Sequence, residues 1–162
     1  LIVSNFYSVV PLFEFPFYNK HLVEPTINMG EIRYSSIQHV YYEGDVDAGV
    51  IVRVHATGTA TGLSLYRTDS MEKITIDHAK FRAITGGTDI IAGDDIIIST
   101  VRGDKYAYLL RNGVITNIIN ALGVGTDWFQ LSPGDNQIAF DATTGKLNLQ
   151  ITVEHRILYE GV

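Results

Sequence analysis

The chain is dominated by alternation with a period of two. From Leu147, the apolar positions Leu147, Leu149, Ile151 and Val153 alternate with Asn148, Gln150, Thr152 and Glu154. A strand places one of these sets on each face, whereas a helix would scatter the apolar residues around its surface. Val50, Val52 and Val54 alternate with Ile51, Arg53 and His55 in the same way. Ile74 and Ile76 lie between Lys73, Thr75 and Asp77, and Ile138 and Phe140 between Gln137, Ala139 and Asp141. Ile96-Ile97-Ile98 is a short apolar run, as expected of a strand covered on both faces.

Turn chemistry separates these segments. Asn112-Gly113 stands between Tyr106–Arg111 and Val114–Ile119 and supplies the positive φ angles of a two-residue hairpin. Pro133-Gly134 suits the centre of a type II turn, because proline presets φ and glycine accepts a positive one. Asp127–Val162 therefore predicts strand, Pro-Gly turn, strand, a turn at Thr144-Gly145 and a final strand: three antiparallel strands. Arg102-Gly103-Asp104 and Gly86-Gly87 mark further turns. No segment predicts a regular helix, apart from a short helical turn near Ile118–Leu122. The pattern predicts an all-β protein built as an antiparallel β-sandwich.

The first 28 residues differ from the rest. Leu1–Asn28 contains Pro11, Pro16 and Pro25, with an aromatic cluster at Phe6, Tyr7, Phe13, Phe15, Phe17 and Tyr18. Proline is excluded from central ladders, so residues 1–28 are expected to form a linker or arm, laid on its own domain or on a neighbour. Residues 29–162 are expected to form the sandwich. The chain does not begin with Met and is expected to be a fragment or processed product.

Composition narrows the function. Of 162 residues, 46% are hydrophobic and 19% charged, which suits a folded domain. A net charge of −6, with no basic block, disfavours nucleic acid and anionic membrane surfaces as partners. No apolar run is long enough to span a bilayer, so membrane insertion is not expected. With no cysteine, disulfides, thiol catalysis and cysteine zinc sites are excluded, which suits assembly in a reducing cytoplasm.

Candidate chemistry is sparse. His21, His39, His55, His78 and His155 show no metal-ligand spacing and are expected to be solvated or core residues. Asp45 and Asp47 make half a calcium loop, and Asp94-Asp95 sits beside Gly93; both are expected to be solvated turns. Gly123-Val124-Gly125 lacks the third glycine of a dinucleotide site. There is no nucleophile elbow. Paired carboxylates would need a separation that only three dimensions reveal, and Glu43, Asp45 and Asp47 are the nearest local cluster. An enzyme is not expected, and no catalytic, metal or cofactor residue is assigned. Trp128, the one tryptophan, is expected in the core; exposed, it would offer a stacking surface to a sugar, as would Tyr41-Tyr42 or Tyr106 and Tyr108.

Several segments together carry a family resemblance. They are Gly44-Asp45 followed by Gly49–Val54, Ile91–Thr100 followed by Lys105–Gly113, Asp127–Ile138 with its W-x-x-L-x-P-G-x-N-x-I spacing, and the Tyr159-Glu160-Gly161-Val162 ending. In order and spacing, from about Gly30 to Val162, the chain resembles the C-terminal domain of the distal tail protein of siphophages and prophages. The resemblance implies a galectin-like, jelly-roll-like sandwich in the virion, assembled in the bacterial cytoplasm. It implies a virion structural role as the outer domain of a hub at the tail tip or baseplate, joining the tail tube to the host-recognition apparatus. The implied partners are other tail-tip proteins. The family's homo-hexameric ring is built by an N-terminal domain absent from this chain, so a hexamer is expected only with that domain. No inserted arm for gripping receptor-binding proteins is visible, and no galactose motif matches residue by residue, so no sugar site is carried over. The alternative is a carbohydrate-binding module contacting host-surface glycans; a glycan-active enzyme is a more distant one.

Overall fold

The computed structural model describes residues 2–10, 31–34 and 37–160. Strands β1 (Ile2–Asn5), β2 (Tyr7–Val10) and β3 (Glu31–Tyr34) come first, followed by β4 (Ile37–Tyr42), β5 (Ala48–Ala56), β6 (Ser64–Arg67) and β7 (Glu72–Thr75). After helix α1 (His78–Ile84) come β8 (Asp95–Ser99), β9 (Tyr106–Arg111), β10 (Val114–Asn117), β11 (Gln130–Leu131), β12 (Gly134–Asp141) and β13 (Leu149–His155). The large sheet runs β1-β13-β5-β8-β9-β10, with β11 also pairing β5. A second sheet runs β4-β12-β6-β7, and β2 pairs β3 separately. All these pairings are antiparallel.

The alternating sets meet between the two sheets. Val50, Val52 and Val54 of β5, Ile96 and Ile98 of β8, and Leu149, Ile151 and Val153 of β13 are buried. Opposite them lie Val40 and Tyr42 of β4, Leu65 of β6, Ile74 of β7, and Ile138 and Phe140 of β12. This is the expected antiparallel β-sandwich, and each fully buried aliphatic side chain contributes about 1.5–3 kcal/mol. At the other end of the chain, β1 completes the large sheet's edge on β13, and Phe6 meets Phe140 edge-on with ring centroids 5.6 Å apart. Residues 11–30, most of the expected arm, lie outside the described residues.

Four expectations need correction. First, α1 is a regular helix: Asp77 caps it by accepting from Lys80 N at 2.9 Å, and Phe81 anchors it in the core. Second, Leu147 is 70% exposed, because Gly145, at φ +71°, starts a 3-10 turn over Lys146–Asn148 that delays the strand to Leu149. Third, Ile97 is only half-buried, so β8 is covered fully on one face. Fourth, the strands either side of Pro133-Gly134 do not pair with each other. Leu131 pairs with Ala48 in the large sheet, whereas Gly134 pairs with Tyr42 in the small one. The bend carries the chain across the sandwich. The hairpin at Asn112-Gly113 forms as expected, with both residues at positive φ, and a 3-10 turn occupies Ile119–Ala121.

Candidate functional site

The outer face of the large sheet follows from the same alternation. If Val52 and Val54 point inward, Ile51, Arg53 and His55 point outward. Strand register then places Thr152, Arg53, Ile97, Tyr108 and Asn117 in one cross-strand row, and Glu154, Ile51, Ser99 and Tyr106 in the next. Arg53 Nε donates to Glu154 Oε1 at 2.6 Å, and His55 Nδ1 lies 2.7 Å from Asp95 Oδ1. Tyr106 and Tyr108, two apart on β9, stack with centroids 4.8 Å apart and planes 17° from parallel.

One end of this face is a cleft of about 420 Å³, lined by Ile51, Arg53, Val101, Asp104, Glu154, Arg156 and Leu158 among others. Its walls are held by close backbone approaches. A Cβ on Gly49 would stand 2.4 Å from Val101 Cα, so glycine is what lets the 100–105 loop close on β5. Thr100 Oγ1 accepts from Val50 N at 2.9 Å, and Ser99 Oγ donates to Asp104 O at 2.7 Å. On the other side Tyr42 fixes the C-terminal segment: its hydroxyl donates to Val46 O at 2.7 Å and accepts from Leu158 N at 3.0 Å. Gly44 lies so close that a Cβ there would meet both the Tyr42 hydroxyl and Leu158 O. This gives the Gly44-Asp45 pair a steric reason.

The Pro-Gly crossing is locked by Asn136, which is fully buried. Its Oδ1 accepts from Ser132 N at 2.9 Å, and its Nδ2 donates to Ser132 O at 2.8 Å and Gly134 O at 3.0 Å. The asparagine two residues after the glycine thus satisfies the backbone groups that the crossing removes from a ladder. Residues 43–157 match the model of a family described as the siphovirus-type tail component, C-terminal domain. The chain belongs to this siphovirus-type tail component family. It is a structural component of the virion tail, and its partners are other tail proteins. No curated protein and no solved structure matches the chain.

The remaining candidates are scattered over this tail component domain. His39 pairs with Asp135 at 2.8 Å and His78 with Asp89 at 2.6 Å, both at the surface. His155 is buried, neither ring nitrogen has a hydrogen-bond partner among the described residues, and burial pushes its pKa below the ordinary value. His21 lies outside the described residues. Among the described residues no group of three or more His, Asp or Glu side chains could hold a metal ion. Glu43, Asp45 and Asp47 are exposed, as are Val124 and Gly125, while Gly123 is half-buried. Asp94 departs from expectation: it is buried, and Arg111 holds both its oxygens, Nε to Oδ1 at 2.8 Å and Nη2 to Oδ2 at 2.6 Å. A two-pronged guanidinium replaces the water that a turn carboxylate normally keeps.

The aromatic candidates divide as well. In Trp128-Phe129 it is Phe129 that is fully buried; Trp128 packs on the core with one part only, and Lys105 Nζ sits 5.5 Å from its ring centroid. Tyr42 is a core clamp, and Tyr41, next to it on β4, is exposed. The cleft's central Arg53–Glu154 pair was not legible as a site, because its members lie 101 residues apart and only the β5–β13 register brings them together.

Proposed function

We propose that this chain supplies the peripheral domain of a distal tail protein, a hub at the tail tip or baseplate that joins the tail tube to the host-recognition apparatus. Residues 29–162 form that domain, and residues 1–28 form the arm that connects it, entering through β1 on the sheet edge. The hub is a homo-hexamer through an upstream ring domain. The domain works through its surfaces rather than by turnover. The observation that carries this reading is the family match over residues 43–157, which takes in every strand from β5 to β13. Antibody raised against residues 37–160 tests it on intact particles. Gold label confined to the tail tip is the expected result; label along the tube or on the capsid contradicts it.

A second role, contact with host-surface glycans, is supported by the open face of the large sheet. Arg53 is paired with Glu154 and His55 with Asp95 within the sheet, and the stacked, half-buried Tyr106 and Tyr108 lie on its outer face. Fold alone does not assign this role; what supports it is the chemistry of the cleft.

A further inference from the structure

The cleft on the large sheet has a definite chemistry. Its floor is apolar at Ile51, with Ile97 beside it in the next row, and its charged lining is balanced: Arg53 and Arg156 against Glu154 and Asp104. The central charges cancel directly. Arg53 Nε is 2.6 Å from Glu154 Oε1, with the arginine side chain 49% exposed and the glutamate 14%. One row along, His55 is paired with Asp95 in the same manner. A phosphate or carboxylate polymer would meet Glu154 and Asp104 beside the two arginines, and a polycation would meet Arg53 and Arg156 beside the two carboxylates. Neither meets an attractive net field.

What the lining does offer is a fixed set of donors and acceptors over an apolar floor. Arg53 retains its terminal guanidinium nitrogens as donors beyond the Nε bond. Tyr108 lies on the same face, two inter-strand spacings or roughly 10 Å from Arg53 across half-buried Ile97, and Tyr106 stacks against it. Neither phenol hydroxyl has a hydrogen-bond partner among the described residues. Alternating apolar and hydrogen-bonding groups, with no net charge, complement a molecule that alternates C–H faces with hydroxyls.

We propose that the Arg53–Glu154 cleft, extended to Tyr106 and Tyr108, is a binding site for a neutral saccharide. Arg53 and Glu154 hydrogen-bond its hydroxyls, and Ile51 and the tyrosines meet its apolar face. This rests on the second reading above and goes beyond it by naming the site and excluding anionic wall polymers as the preferred ligand.

The test is amide chemical-shift mapping of the whole chain, titrated with galactosides, glucosides and N-acetylglucosamine oligomers, and separately with glycerol phosphate oligomers. The expected result is saturable binding of a neutral sugar in the millimolar range or tighter. Shifts should be centred on Ile51, Arg53, Tyr106 and Glu154. Arg53→Met and Tyr108→Ala should each weaken binding by about tenfold or more while leaving the rest of the spectrum folded. Saturable sugar binding that maps elsewhere, or that survives both substitutions, overturns the site but not the glycan reading. No response to any neutral sugar overturns both. Preferential binding of the phosphate polymer at the cleft overturns the ligand class alone.

Discussion

Asp94 and His155 are equally hidden from water, at 1% and 2% exposure, and are treated in opposite ways. Asp94 accepts two bonds from Arg111 and a third from Ile91 N at 2.9 Å. The same arginine reaches on to Asp89 O at 2.8 Å and to Thr88 Oγ1, so one guanidinium ties the end of β9 to the 88–94 loop. His155 closes the inward row of β13, edge-on to Tyr42 with centroids 5.7 Å apart, and its nitrogens have no hydrogen-bond partner among the described residues. A buried charge is tolerated where its partners are built around it. A buried imidazole without partners is tolerated as a neutral filler.

The contrast breaks most severely at Arg111. Arg111→Met strands a buried carboxylate without its cation, and should destabilise the fold by about 3–5 kcal/mol in urea unfolding. Asp94→Asn removes the charge from the buried side instead and leaves Arg111, 19% exposed, able to reach solvent. Its cost should be smaller, about 1–3 kcal/mol. A cost for Asp94→Asn that equals or exceeds that of Arg111→Met would mean that the pair is not anchored on the buried carboxylate.

His155 gives the smallest effect and the sharpest one. His155→Phe should change stability at neutral pH by less than about 1.5 kcal/mol, because it swaps one flat filler for another. The pH dependence carries the information. Burial lowers the folded pKa of His155, so between its ordinary value, about 6.5, and that lower value the unfolded chain binds more protons. Wild-type stability is therefore whole above the ordinary value and declines as pH falls through this window. His155→Phe should flatten that decline in thermal melts taken at stepped pH. An unchanged slope would assign it to other groups.

Much of the sandwich was legible in the sequence because burial on one face imposes period two on β5, β12 and β13, and because Asn-Gly has few alternatives to a hairpin. The misses share a cause: local patterns do not say what a segment meets. The seven-residue helix follows Ile74 and Ile76 directly, and its signals, Asp77 as cap and Gly86 at φ +71° beyond its end, flank too few residues to show a helical period. Leu147 continues the alternation of β13 but precedes its first ladder pair. Pro133-Gly134 reads as a turn whether it joins paired strands or crosses between sheets. Asp94 looked like a turn carboxylate because Arg111 lies 17 residues away and on another strand. The candidate site was the least legible part, since its central pair depends entirely on register.

The proposed function hangs this domain at the periphery of a six-fold hub in the tail tip. Electron microscopy of the full-length protein tests it most directly. Ring-shaped class averages with six-fold symmetry and one sandwich-sized lobe per subunit on the outside, absent when residues 29–162 are deleted, are the expected result. A full-length protein that stays monomeric in every preparation, or rings that keep their outer lobes after the deletion, would contradict it.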